Sequence, residues 1–188
     1  MLDEIDKKLI EMLTTDGRRS LSEMGKKLGL SHVAIKKRLD KLCTKNIIKI
    51  VPAINFSQLK LKAVMILAEV RTSGDIDNIF KKYSSCPRMV LLSTAMGRFN
   101  LIAIMVGEND STIESILTVC SFRREKGIMK SEIHLINSIS IPKFIPIKII
   151  AKKRGTIAPC GMDCSNCKRY LQGLCLACPA TEVYRGIL

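Results

Sequence analysis

The 188-residue sequence predicts an α+β fold in three parts, and three observations lead to this prediction. The beginning of the chain carries apolar residues at helical spacing, and the middle alternates strand-like with helix-like segments. The end holds five of the eight cysteines. We therefore expect a helical domain at 1–50, a linker at 51–61, an α+β domain at 62–150, a second linker at 151–158 and a cysteine-rich segment at 159–188.

The first part predicts three short helices. Residues 3–15 have one apolar face, and Asp16-Gly17 ends that helix. Ser20 and Glu23 have the spacing of a capping box, which begins a second helix that Gly29 ends. Ser31 is a candidate N-cap for a third helix that runs to about Thr44. Two helices joined by a tight turn form a helix-turn-helix, and a short strand expected within 46–59 would give it a wing.

Double-stranded DNA is the partner that this first part predicts. Lysine and arginine number 31 against 17 acidic residues, and the largest share of this excess lies in residues 1–60. The second helix of such a pair enters the major groove with its N-terminal residues nearest the base edges. The alternative is an ordinary three-helix bundle with a solvated basic face. The predicted DNA-binding residues are Arg18, Arg19, Ser31, His32, Val33, Lys36, Lys37, Arg38 and Lys41.

The middle of the chain predicts a ferredoxin-like βαββαβ sandwich. Strands are expected at 63–71, 88–95, 99–106 and 128–140, and helices at 75–84 and 111–121. Two helices would cover one sheet face, so the other face must be solvated or covered by a partner, often a second copy of the chain. Cys43, Cys86 and Cys120 are interpreted as small core or near-surface hydrophobic residues, and His134 as a surface or interface residue.

Several short stretches are specific in combination: Leu2-Asp3-Glu4-Ile5-Asp6, Asp16-Gly17-Arg18, Leu28-Gly29-Leu30-Ser31, Arg38-Leu39-Asp40-Lys41-Leu42 and Gly97-Arg98-Phe99-Asn100. Through them, residues 2–150 resemble the Lrp/AsnC family, the feast/famine regulators of bacteria and archaea.

This resemblance implies a homo-oligomer, a dimer that often assembles up to an octamer. It also implies an effector, frequently an amino acid, bound near Gly97, Arg98, Phe99 and Asn100 at subunit interfaces. Asn46 stands where the family usually has glycine. Asn100 stands where the family usually has aspartate, which removes a carboxylate that could pair with an amino-acid ammonium.

The last part predicts a metal site. Its spacing is Cys160-x3-Cys164-x2-Cys167-x7-Cys175-x2-Cys178, and so short a segment has too little apolar area to fold without a stabilising ligand. Cys164, Cys167, Cys175 and Cys178 would suit tetrahedral zinc. Cys160, Cys164 and Cys167 with Cys178, which precedes a proline, would suit a 4Fe-4S cluster. Both remain open at this point, as does a disulfide knot.

The combined expectation is a cytoplasmic, sequence-specific transcription regulator, modulated by a small effector or by metal or redox state at its tail. No apolar run reaches the roughly 18 residues of a membrane span, so no membrane partner is expected. With only His32 and His134 and no paired catalytic groups, no catalytic residue is expected. The alternatives are an enzyme of related fold that acts on a tetrapyrrole, and a sensor or adaptor that does not bind DNA.

Overall fold

The computed structural model describes residues 2–188, apart from the side chain of Ser121, and the chain divides into two compact units, Met1–Pro52 and Ala53–Leu188. Within the described residues, no helix combines the length and the apolar character needed to span a bilayer.

The first unit consists of three helices, α1 (Glu4–Thr15), α2 (Leu21–Leu28) and α3 (His32–Thr44). Each begins at a polar cap whose side chain accepts a backbone N–H three residues on: Asp3, Ser20 and Ser31. Gly29 ends α2 in the left-handed conformation, with φ of 68°. The core of this unit consists of the apolar residues Leu9, Met24, Ile35, Leu39 and Leu42.

The expected wing is not formed as β structure in the described part of the first unit, which contains helices and irregular segments but no strand. The strand expected within 46–59 is reduced to the two residues of β1 (Ile54–Asn55), which belong to the second unit. Pro52 has no N–H to donate to a strand partner, which limits regular pairing here. Asn46 takes the left-handed conformation, with φ of 53°, so asparagine serves the turn after α3.

The second unit contains the βαββαβ order that the sequence predicts. The elements are β2 (Lys62–Val70), α4 (Ser73–Tyr83), β3 (Met89–Thr94), β4 (Leu101–Gly107), α5 (Asp110–Thr118) and β5 (Ile128–Ile136), with a 3-10 turn at Ser121–Arg124. The strands are antiparallel in the order β3-β4-β2-β5, which confirms the predicted ferredoxin-like fold.

The two faces of this sheet differ in cover. The side chains that alternate toward α4 and α5 are buried, including Val64, Ile66 and Ala103. The opposite face, which we call the open sheet face, carries partly exposed apolar side chains at its centre: Met65, Leu67, Leu91, Ile102 and Ile104. An apolar face of this kind is suited to cover by another surface.

The C-terminal residues pack against the sheet unit and do not stand apart as a separate segment. Strand β6 (Phe144–Ile145) pairs with β1, and the tail contains one short helix, α6 (Lys168–Leu171). Phe56 and Leu61, from the segment expected to be a linker, share a buried cluster with Tyr184 and Leu188. The linker at 51–61 and the tail therefore both contribute to the second unit.

Candidate nucleic-acid interface and cysteine cavity

The turn between α2 and α3 is built around Gly25. Its carbonyl accepts the N–H groups of Gly29 and Leu30, the latter at 3.0 Å. A Cβ at Gly25 would lie 2.5 Å from the carbonyl oxygen of Leu30, so only glycine lets the turn approach α2 this closely. The helix-turn-helix geometry therefore depends on this residue.

The outward face of α3 carries most of the residues that the sequence assigns to DNA. His32 and Val33 are exposed at the N-terminal end, and Val33 is 49% exposed although it is apolar. Lys36, Lys37 and Lys41 are exposed farther along the helix. Ser31 is also exposed, but its hydroxyl caps the helix by accepting the N–H of Ala34. Arg18 is exposed in the turn before α2.

Arg38 and Arg19 have partners within the unit. The guanidinium of Arg38 donates to Asp3 at 2.6 Å and to Asp6 at 2.7 Å, which ties α3 to the start of α1. Arg19 lies 3.3 Å from Glu23, and its side chain is largely buried. The backbone N–H of Asp6 and the guanidinium of Arg38 hold the pKa of Asp3 below its usual value. Arg38 therefore joins α3 to α1, and its expected contact with DNA stays a prediction.

The predicted effector residues lie in the turn between β3 and β4. Gly97 has φ of 136°, Arg98 is exposed 3.6 Å from Glu69, and Phe99 lies beneath the Arg98 guanidinium. The Asn100 amide accepts the N–H of Val70 at 2.7 Å and donates to the carbonyl of Val70 at 2.8 Å. Asn100 thus acts as a strand partner for the end of β2, and its amide is occupied.

A cleft of about 440 Å³ opens beside this turn. We call it the basic cleft, since Arg98, Arg123 and Lys130 line it together with Phe99 and Glu132. The Nε of Arg123 donates to the Ser131 hydroxyl at 3.0 Å, which fixes that side chain against β5. The excess of cations over the single carboxylate makes the cleft suitable for a small anion.

All five tail cysteines line one cavity of about 50 Å³. Two cysteines of the sheet domain line the same cavity, Cys86 between α4 and β3 and Cys120 just after α5. We call this space the cysteine cavity. The structure places these two residues in the wall of the same cavity as the tail cysteines, whereas the sequence indicated only small hydrophobic residues. Cys86 and Cys120 lie far from the tail in the sequence, so no pattern of cysteine spacing could have predicted that they line this cavity.

The thiols of the cysteine cavity are shielded from water. Burial raises the pKa of Cys86, Cys120 and Cys164, and it raises the pKa of Cys178 to about 12. The free thiols of these four cysteines are therefore uncharged at neutral pH. Among residues 2–188, no three cysteine, histidine or acidic side chains lie close enough together to hold one metal ion as they stand.

Two arginines fix the walls of the cysteine cavity. Arg88 is 4% exposed, and it donates to Glu108 at 2.8 Å and to the Ala177 carbonyl, between Cys175 and Cys178, at 2.8 Å. Arg169 in α6 donates to the Ser115 hydroxyl at 2.6 Å and to Glu114 at 2.7 Å. These bonds join the tail to the residue just before β3 and to α5, so the tail and the sheet domain form the cavity together.

Comparison with known proteins gives consistent results. Residues 2–42 match the AsnC-type helix-turn-helix domain. The chain is 29% identical over 107 residues to the HTH-type transcriptional regulator Ptr1 of Methanocaldococcus jannaschii, covering 56% of this chain and 72% of that relative.

Two solved structures share the fold. AsnC of E. coli has a TM-score of 0.64 at 17% identity, over 75% of this chain and 95% of that one. A transcriptional regulator of Neisseria meningitidis, solved in complex with L-Met, has a TM-score of 0.65 at 15% identity, over 79% of this chain and 97% of that one.

Proposed function

We propose that this chain, whose residues 2–42 form an AsnC-type helix-turn-helix domain, is a sequence-specific DNA-binding transcription regulator of the Lrp/AsnC family. The observation that carries the proposal is the exposed face of α3. It combines the exposed side chains of Lys36, Lys37 and Lys41 with those of His32 and Val33 at the N-terminal end of the helix. The relative Ptr1 is a transcriptional regulator, and we propose that this chain likewise acts as a regulator without catalytic activity. A regulator of chromosomal DNA in a prokaryotic cell acts in the cytoplasm.

The test is DNA binding measured as a function of salt. Each lysine that contacts a phosphate releases counterions, so its loss lowers the slope of log affinity against log salt by about 1. We expect this for Lys36→Ala and for Lys37→Ala. Lys81→Ala removes an exposed charge from the second unit and is the matched control. Unchanged slopes in both α3 variants, or no preference for the protein's own promoter over random duplex, would contradict the proposal.

We also propose that the chain assembles as a dimer, and further as a higher even oligomer, through the open sheet face. Two-fold symmetry suits a regulator that reads paired half-sites. Leu67→Glu would place a charge at the centre of that face, and we expect it to lower the mass measured by sedimentation. Leu171→Glu changes an exposed leucine in the tail and should leave the mass unchanged. Equal masses for both variants would rule out this face.

The basic cleft is the proposed effector site. Its cations suit the carboxylate of an amino acid, and Glu132 is the acidic group that could face the ammonium. Asn100 contributes through the shape of the turn, because its amide is bound to β2. Calorimetric titration with a panel of amino acids tests the site, and Arg98→Ala should abolish any binding detected. Binding that survives Arg98→Ala would place the effector elsewhere.

The tail is proposed to bind metal, either zinc or a 4Fe-4S cluster. The convergence of Cys160, Cys164, Cys167, Cys175 and Cys178 on one cavity supports this. Anaerobic purification followed by metal analysis and a visible spectrum distinguishes the two. A colourless zinc protein would have a structural clip, whereas a brown iron protein would be a candidate sensor. Protein free of both metals after anaerobic purification would contradict metal binding.

A further inference from the structure

The cysteine cavity holds more thiols than one metal site in the tail requires. A tetrahedral zinc ion and a 4Fe-4S cluster each take four thiolates, and the tail alone offers five. Cys86 and Cys120 bring the cavity to seven of the chain's eight cysteines. Cys43, the remaining cysteine, is exposed in the first unit. The cysteines of the second unit are therefore collected at one place, although they come from distant parts of the sequence.

The cavity that these thiols line suits a cluster. Zn–S bonds of about 2.3 Å draw the four sulfurs of a tetrahedral site to roughly 4 Å from one another, so a single ion leaves little space between its ligands. Here seven thiols line one open volume of about 50 Å³. An iron–sulfur cluster has its own sulfide core, so it occupies such a volume and binds thiolates at its periphery.

The surroundings of the cavity also suit a cluster. Its walls include the apolar side chains of Met105, Ile116 and Val119, which exclude water. The Arg88 guanidinium lies in the wall and fixes the loop between Cys175 and Cys178 through the Ala177 carbonyl. Burial, hydrogen bonding and solvent exclusion are the means by which a protein holds a cluster and sets its properties.

We propose that the cysteine cavity binds an iron–sulfur cluster that bridges the tail and the sheet domain, with at least one thiolate from Cys86 or Cys120. This inference rests on the proposed metal-binding function of the tail, and it adds the class of cofactor and ligands outside the tail. The cluster would join α5 and the α4–β3 connection directly to the tail.

The experiment is anaerobic reconstitution of the full chain with ferrous iron, sulfide and a thiol reductant. We expect about four irons and four sulfides per chain, with broad visible absorbance that bleaches on reduction by dithionite. The variant Cys86→Ala/Cys120→Ala should retain less than about one iron per chain. Cys43→Ala is the matched control and should reconstitute like the wild-type chain.

A second measurement avoids the risk that the double variant does not fold. In the wild-type chain, the rate of alkylation of each cysteine is compared between the apo and the reconstituted protein, in enough urea to open the apo form. Cys86 or Cys120 should be protected by reconstitution, whereas Cys43 should react equally in both forms. Protection confined to the tail cysteines would overturn the shared ligation.

The remaining outcomes are distinct. A full cluster in the double variant overturns the role of Cys86 and Cys120 but leaves metal binding by the tail intact. A chain that binds zinc and takes up no iron and sulfide overturns the cluster, and the proposed metal binding survives. A chain that binds neither overturns both. DNA binding by the first unit is measured separately, so its result does not depend on any of these.

Discussion

Removal of the Arg88 side chain should strongly destabilise the second unit. The guanidinium is 4% exposed, and the Glu108 side chain with which it pairs is 8% exposed, so neither charge can be solvated by water alone. Loss of one partner from a buried pair costs about 3–5 kcal/mol, because the other charge remains buried. We expect Arg88→Met to lower the free energy of unfolding by about this amount, a large part of the 5–15 kcal/mol typical of a domain.

Urea unfolding followed by tyrosine fluorescence measures this change. All three tyrosines (Tyr83, Tyr170 and Tyr184) lie in the second unit, and the chain has no tryptophan, so the signal reports that unit alone. Arg98→Ala removes an exposed arginine from a surface pair and should change stability by no more than about 1 kcal/mol.

A compensating variant separates the buried charge from other effects. In Arg88→Met/Glu108→Gln the orphaned carboxylate becomes a neutral amide, and its oxygen can still accept the hydroxyl of Tyr184. The double variant should therefore recover part of the lost stability. The reasoning would be refuted by an Arg88→Met variant as stable as Arg98→Ala, or by a double variant no more stable than the single one.

Three further predictions concern smaller features. Gly25→Ala should destabilise the first unit by about 1–3 kcal/mol in circular dichroism melts, because the added Cβ would clash with the backbone of the turn. Gly17→Ala is the control and should leave stability unchanged, because a Cβ there has no neighbour closer than 3.8 Å. Asn100→Asp should lower the free energy of unfolding by about 1–3 kcal/mol at pH 7, because a carboxylate cannot donate to the Val70 carbonyl. The loss should be smaller at pH 4, where a protonated carboxyl group can donate again. An equal loss at both pH values would contradict this. The pKa of Asp3 is lowered in the folded state, so its stabilisation is present above its usual value of 3.8 and is lost as pH falls through the folded value. In Asp3→Asn, the melting temperature of the first unit should therefore depend less steeply on pH below about pH 4. A pH dependence as steep as that of the wild-type chain would contradict the role given to the Asp3 carboxyl.

Local signals account for most of what the sequence predicts correctly. Ser20 and Ser31 cap helices through bonds to residues three positions on, so a short stretch of sequence contains the whole interaction. The order of strands and helices follows from periodicity in the same way, and with it the fold class. The family resemblance is likewise confirmed by the AsnC-type match over residues 2–42.

Long-range contacts account for the rest. The sequence shows one run of basic residues, Lys36, Lys37 and Arg38. Arg38 differs from the two lysines because it bonds to Asp3, thirty-five residues away. One signal was available, since Arg38 lies three residues after Ile35 and four before Leu42, on the edge of the buried stripe. For Cys86 and Cys120 no such signal exists, because only the packing of the tail against α5 brings them to the same cavity as the other cysteines.

The two bonds of Asn100 also bear on how the protein ages. Deamidation turns asparagine into aspartate, so slow chemistry at this position produces the Asn100→Asp change without any mutation. In the folded chain the amide is held at both ends by β2, which leaves it little freedom to react. In the unfolded chain it is free. Long incubation of the unfolded chain at high temperature should therefore increase the fraction of molecules that refold poorly. Thermal unfolding should become less reversible as the incubation is lengthened.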